Sequence, residues 1–555
     1  MPCSVRTFMA FVGAVIALVL ATYGGALSHP FLPSHDDLLY VTQNPAVTGG
    51  WRELAGAWTR FHVGNWAPLH ILSYAADYAL FGPRPAWFIL ENLVLHAANS
   101  ILVGVLVLRL GGPWAAAVVA AAVFAVHPVQ VESVIWISQM KNVLAMTFLS
   151  TAHHCYLLED SSLARRRLWR ALSLFATAAA LLTKSVAVVL PFALLLLDAA
   201  RGRARSAAQA VVDKLPFLAL AAGTAIVAVV SQSSEAGGGR APYPGGSPLS
   251  AFLTMATVLP RYLANVSWPS TLSAAYSPAI RAGFDGTVAA ALVLAFALLL
   301  AGVLLRRRQP RLLLWYTLFF LGLLPVSQII PLVTLMNDRY LYFPMIGASA
   351  LVGEGVAHGL RRLDGAPRRA LIAASAMGLA LLAYTAHART KVWRSDLALW
   401  SDAVGKEPQA GHAWYNLGRA QEATGAFGDA LTSYERSIQI EPDAADALVN
   451  AAAMHIRLGS PGEAARLLDR AVRFPRAPYE AWFNLALARY QMGEPELAKE
   501  PLARALALEP TWCEAHQLRV ELARLRGAKD VAEAQAAALR LGCRWSIATS
   551  ATSQE

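Results

Sequence analysis

Charged side chains are scarce in this sequence: Asp, Glu, Lys and Arg make up 15% of its 555 residues, while hydrophobic residues reach 56% and the mean hydropathy is +0.43. A soluble chain of several domains needs more polar surface than that, so the composition excludes one and points to an integral membrane protein. Cysteine is scarcer still. Cys3, Cys155, Cys513 and Cys543 show no metal-ligand spacing. Cys513 and Cys543 can pair in an oxidising compartment or stay as two thiols. Acidic residues are outnumbered, 36 against 47 Lys and Arg, which gives a net charge of +11. The excess sits in short clusters between apolar runs, such as Arg165-Arg166-Arg167 and Arg306-Arg307-Arg308. That pattern orients membrane helices, so the basic balance does not call for a nucleic-acid partner.

Apolar runs lie near Phe8 to Leu27, Trp87 to Leu108, Pro113 to Val126, Val143 to Leu158, Trp169 to Leu182, Val186 to Leu197, Leu215 to Val230, Thr287 to Leu305, Leu312 to Val326, Tyr342 to Val356 and Leu371 to Ala386. They predict about eleven transmembrane helices, the first retained and not cleaved as a leader. Basic clusters fall on every second connection. The N-terminus is therefore expected in the cytoplasm, with everything after Ala386 on the opposite, periplasmic or lumenal face. The other connections carry Asp36, Asp37, His70, His127, Glu132, Lys141, Lys184 and Arg339, interleaved with Trp and Tyr. Isolated charges gathered on one face of a membrane domain predict a polar site. Gly237-Gly238-Gly239 and Pro242-Tyr243-Pro244 read as a turn-rich connector.

The C-terminal region repeats. Asn416, Asn450 and Asn484 stand 34 residues apart, as do Gly425, Gly459, Gly493 and Gly527, and Ala430, Ala464, Ala498 and Ala532. A 34-residue period with small residues at helix crossings and Pro408, Pro442 and Pro510 near repeat ends resembles the tetratricopeptide repeat, a stacked pair of helices. By the same arithmetic Lys391 to Lys406 reads as the second helix of an opening half repeat. The expected fold is all-α: a polytopic membrane domain over 1–389, a tetratricopeptide-repeat solenoid over 390–545 and a disordered tail over 546–555.

The adjacent carboxylates Asp36 and Asp37 allow metal binding, helix capping or general-base chemistry. Hard cations usually need more carboxylates than this face supplies. A hydroxyl nucleophile sheds a proton as it attacks, which a carboxylate within hydrogen-bond reach can take, and a phosphate leaving group gathers charge that Arg and Lys stabilise. Arg339, in Asp338-Arg339-Tyr340-Leu341-Tyr342, and Lys184, alone between two apolar runs, are the cations in question. An ion pair with Asp338 is the plainer reading of Arg339, and a structural hydrogen bond that of His127.

The acidic pair, then Asn65-Trp66-Ala67-Pro68-Leu69, His127-Pro128-Val129-Gln130-Val131-Glu132 with Trp136-Ile137-Ser138, Leu182-Thr183-Lys184 and Asp338-Arg339-Tyr340, in this order and followed by the repeats, resemble the transmembrane and tetratricopeptide-repeat-containing O-mannosyltransferases, of the GT-C glycosyltransferases, and their prokaryotic relatives. The resemblance implies inverting, metal-independent transfer of a sugar, mannose in eukaryotic members, from a polyprenyl phosphate to Ser or Thr hydroxyls of a protein acceptor gripped by the repeats. It implies Asp36 or Asp37 as base and Arg339 and Lys184 at the donor phosphate; His127 and Lys141 are further candidates at that phosphate, and Glu132, Tyr340 and His70 are candidates at the substrate. No cofactor is implied beyond the lipid-linked donor. The chain departs from the family pattern at Ala67, Gln139-Met140 and Ser185. A membrane scaffold that displays repeats, and an enzyme that glycosylates a lipid or glycan, are the other classes this sequence allows.

Overall fold

The computed structural model describes residues 4–34, 36–160, 163–203, 206–233, 241–525 and 527–543. His35, the triplet Gly237-Gly238-Gly239 and the tail expected over 546–555 lie outside the described residues. Among the described residues the fold is all helical, with one isolated bridge between His62 and Asn65 and no strand. The chain divides into two compact units, Met1–Glu407 and Pro408–Glu555.

In the first unit every apolar run holds an α-helix. Five are long and apolar enough to cross a membrane: Val5–Ser28, Pro85–Arg109, Leu215–Gln232, Gly286–Arg306 and Gly365–Arg394. A sixth is the pair Trp114–Val126 and Pro128–Ile135, bent by 50°, where Pro128 has no N–H to continue the ladder. The sequence expectation of about eleven is thus met by five or six. The reason is visible in the others. Met140–Leu158 buries Asn142, His153 and His154, Met345–Arg362 buries Ser349 and Glu354, and Arg166–Thr183 opens with arginine. Such helices gain from burying polar groups inside the bundle and lose the apolar signature of a lipid-facing span.

The bundle is threaded by polar side chains at helical spacing on Pro85–Arg109. His96 Nε2–H meets the Ala125 carbonyl at 3.0 Å, and Asn99 Nδ2 donates to the Val143 carbonyl at 2.8 Å and to the Tyr342 hydroxyl at 3.3 Å. These bonds tie three helices around the bend. Close approach depends on missing side chains. A Cβ on Gly353 would sit 2.3 Å from the Ala116 carbonyl oxygen, and one on Gly347 would sit 2.2 Å from that of Trp315, so small residues set these helix crossings.

The second unit is four helix pairs: Gly411–Ala423 with Phe427–Ile440, Ala445–Arg457 with Pro461–Ala471, Tyr479–Gln491 with Pro495–Leu508, and Cys513–Arg524 with Ala528–Arg540. Ala430, Ala464 and Ala498 are fully buried at successive crossings. Ala532, in the last helix, is exposed, because no further helix follows it among the described residues. Cys513 and Cys543 form a disulfide that staples this last pair. The helix Asp396–Lys406, read from the period as half a repeat, belongs to the first unit.

Candidate functional site

The two adjacent carboxylates have opposite fates. Asp37 is 1% exposed. Its carboxylate accepts the Leu32 N–H at 3.1 Å, the Ser138 N–H at 2.9 Å and the Ser138 hydroxyl at 2.5 Å. Burial pushes it up to about 6 in spite of those bonds, with the Asp36 charge adding to the rise. Its lone pairs are spent on joining the first loop to the turn Ile137–Gln139. Asp36 is half-buried, and among the described residues its carboxylate has no hydrogen-bond or ion-pair partner. Its charge is felt at Arg339.

Arg339 is held by Glu132, not by Asp338. Its guanidinium Nη1 lies 2.5 Å from Glu132 Oε1, and its backbone N–H donates to Glu132 Oε2 at 2.8 Å. The guanidinium also lies 5.4 Å from the centres of the Trp136 and Tyr340 rings, both within cation–π range. Burial works against its charge, but Glu132, Tyr340 and more distantly Asp36 hold it above the usual arginine value. Asp338 turns the other way. It pairs with Arg389 at 2.8 Å and accepts the Tyr276 hydroxyl at 2.5 Å. Burial pushes Asp338 up to about 7 against the pull of Arg389.

Lys184 donates to the Asn142 side-chain carbonyl, whose amide donates in turn to Ser133 at 3.0 Å and Gln139 at 3.1 Å. Burial, then the charges of Lys141 and Arg339, drive Lys184 well below the usual lysine value. Among the described residues no carboxylate pairs with it, and Glu132 acts on it only through its charge; a bound phosphate would supply a counter-anion. Lys141 donates to the Tyr40 hydroxyl at 3.2 Å. Lys141 and Lys184 line a small cleft of about 50 Å³ with Asn65, Trp66 and Ser185. A strained turn aims Asn65. Val63, a β-branched residue, sits at φ 47°, and the Asn65 amide donates to the Val63 carbonyl at 2.7 Å and to the Tyr40 hydroxyl at 3.3 Å.

Three expected residues fall elsewhere. His127 is not available to a phosphate: one ring nitrogen meets the Val266 carbonyl at 2.9 Å and the other accepts the Val129 N–H at 3.3 Å, so it caps the turn after the bend. His70 is fully buried between the Tyr40 and Tyr74 rings with no hydrogen-bond partner among the described residues. Burial, then Lys141 and Lys184, keep it neutral. Tyr340 hydrogen-bonds Thr334 at 2.6 Å and lies against Arg339, which makes it a support for the cation. Sequence reasoning missed Tyr40, Asn142, Tyr276 and Arg389. Only Arg389, a cation ending the last span, left a signal. No three His, Cys, Asp or Glu side chains are grouped to hold a metal ion among the described residues.

Two cations, Lys141 and Lys184, line the cleft; Arg339 acts on Lys184, and Asp36 on Arg339, through their charges. Residues 411–444 and 479–511 match the tetratricopeptide repeat. Over 148 residues, 25% of this chain, the sequence is 34% identical to Protein O-mannosyl-transferase Tmtc2 of Drosophila melanogaster, and over 187 residues, 31% of this chain, it is 30% identical to Tmtc1 of the same organism. The aligned stretches span 15% and 21% of the length of those curated relatives. Among solved structures, MamA matches 26% of this chain and 86% of its own at 18% identity and a TM-score of 0.25, and YrrB matches 26% and 74% at 20% and 0.24. Likeness at that level carries no argument. The chain is thus similar to the Tmtc protein O-mannosyltransferases and carries tetratricopeptide repeats.

Proposed function

We propose that this protein is a multi-pass membrane glycosyltransferase that moves a sugar, mannose by similarity to the Tmtc proteins, from a polyprenyl phosphate to Ser or Thr hydroxyls of proteins, with the repeat unit binding the acceptor. The observation that carries this reading is Asp36, a carboxylate without a partner among the described residues whose charge reaches Arg339. Asp36 takes the proton of the acceptor hydroxyl as its oxygen attacks the anomeric carbon. The bond from that carbon to the phosphate oxygen breaks on the opposite face, its electron pair stays on the phosphate, and the configuration inverts. Lys184, Lys141 and Arg339 stabilise the charge that gathers there. Asp37 is the brace of the loop in this account, not the base.

In this reading the basic clusters favour a cytoplasmic N-terminus, and an odd number of spans then carries the repeats to the far side, as in a bacterial inner membrane protein. The Cys513–Cys543 disulfide agrees with an oxidising compartment for the repeats. In membranes prepared without reductant, both thiols should resist alkylation until the protein is reduced; reactive thiols in the native protein would move the repeats to the cytoplasm.

The test is transfer by purified protein from a panel of polyprenyl-phosphate sugars to hydroxyl-bearing peptides, glycolipids and glycans. Peptide labelling from one donor is the expected result. Labelling of lipid or glycan alone would change the acceptor class, and consumption of no donor would leave a membrane scaffold.

A further inference from the structure

We propose that segment 389–407 is a positioning element of the transferase site, clamping the Asp36 loop and the Arg339 turn; this rests on the glycosyltransferase reading above. Its helix, Asp396–Lys406, is capped by Ser395, whose hydroxyl accepts the Ala398 N–H. The Asp396 carboxylate is therefore not needed for its own helix. It accepts the Ser34 hydroxyl at 2.6 Å and the Ser34 N–H at 3.0 Å. Trp400, one turn on and on the same face, donates its indole N–H to the Ser34 hydroxyl oxygen at 2.6 Å. Three hydrogen bonds from one helix face thus fix a residue two positions before Asp36.

The other end grips the Arg339 turn. Asp402 faces Arg389 at 3.9 Å, and Arg389 holds Asp338 at 2.8 Å. Lys406 and Arg389 both donate to the Leu272 carbonyl, at 2.8 and 2.6 Å. Glu407 pairs with Arg261 and accepts the Ser277 N–H. Between the two ends Trp393, buried, stacks on Trp136 at 5.8 Å, and Trp136 lies under the Arg339 guanidinium. The base and the phosphate cation are brought together by a segment that, among the described residues, has no hydrogen bond or ion pair to either side chain. A reacting group displaced by about 1 Å loses about 10²-fold in rate, so the clamp has kinetic consequences. Asp396 and Trp400 are positioning residues for Asp36, and Arg389 is one for Arg339.

In the full chain, Asp396→Asn and Trp400→Phe should lower kcat by about 10- to 100-fold with the donor KM unchanged. Arg389→Gln should raise the donor KM by at least about tenfold, and Arg389→Lys should restore most of it. A merely structural segment would instead scale kcat with the folded fraction in every variant and leave KM alone. Hydrogen exchange supplies a readout without sugar chemistry: Asp396→Asn should lose protection over 32–42 and Arg389→Gln over 337–342, with the rest of the chain unchanged. Equal kcat and KM per folded molecule, or exchange that rises uniformly, would overturn the clamp. An inactive wild type with the two local exchange changes intact would overturn the glycosyltransferase reading and leave the clamp standing.

Discussion

In the repeat unit the buried positions are mainly alanine and leucine, with Ser433, Ser437 and His516 the polar exceptions among the described residues, and its ion pairs lie at the surface. In the membrane unit Asp37, Glu132, Asp338 and Arg389 are all buried, and each is bonded to a residue on another element. The repeats are held by area removed from water, which is non-directional and tolerant. The membrane unit is held in part by polar contacts that fail when one partner is lost. Function, in this account, is concentrated where failure is expensive.

The sharpest way to break the comparison is at the acidic pair. Asp36→Asn should cost about 10²- to 10⁴-fold in transfer rate, the usual contribution of a general base, with unfolding unchanged. Next, Glu132→Gln strands the buried Arg339 and should destabilise the membrane unit by about 3–5 kcal/mol, measured by denaturant unfolding in detergent. Asp469→Asn breaks an ion pair of the repeats whose partners are 43% and 23% exposed and should cost about 0–1 kcal/mol. Similar losses for the two would erase the distinction between the units.

The pH dependence of stability sharpens it further. A carboxyl held at about 6 in the folded state, against about 3.9 unfolded, favours folding when protonated. Its ionisation therefore removes stability as pH rises from about 4 to about 6, roughly 3 kcal/mol for Asp37. Asp338 extends the decline toward pH 7. Asp37→Asn should remove the lower part of that slope, at the cost of the bond to the Leu32 N–H. In the repeats, Ala464→Leu overpacks a helix crossing and should cost about 1–3 kcal/mol by thermal unfolding, more than the loss of the surface ion pair at Asp469.

The repeats and the helix at each apolar run were legible because periodicity is a local property. The polar site was legible only as a set. Asp36 and Asp37 share one local sequence, and what separates them is Ser138, 101 residues on. Arg339 stands beside Asp338 in sequence, yet consecutive side chains on that turn splay to Glu132 and Arg389. Leu399, Trp400 and Ala403 give helix Asp396–Lys406 an apolar face that would suit a repeat neighbour or the membrane unit equally. The choice was made by Ser34, which no pattern marks. His127 looked like a ligand because a lone histidine after a span carries no sign of the carbonyl at Val266 that occupies it.

The most direct measurement is single-turnover transfer by Asp36→Asn and Asp37→Asn at saturating polyprenyl-phosphate mannose, with donor binding measured on the same samples. Asp36→Asn should bind donor as wild type does and transfer almost nothing, while Asp37→Asn should transfer at a rate set by its folded fraction. Full chemistry in Asp36→Asn, with a dead but folded Asp37→Asn, would contradict this assignment of the base.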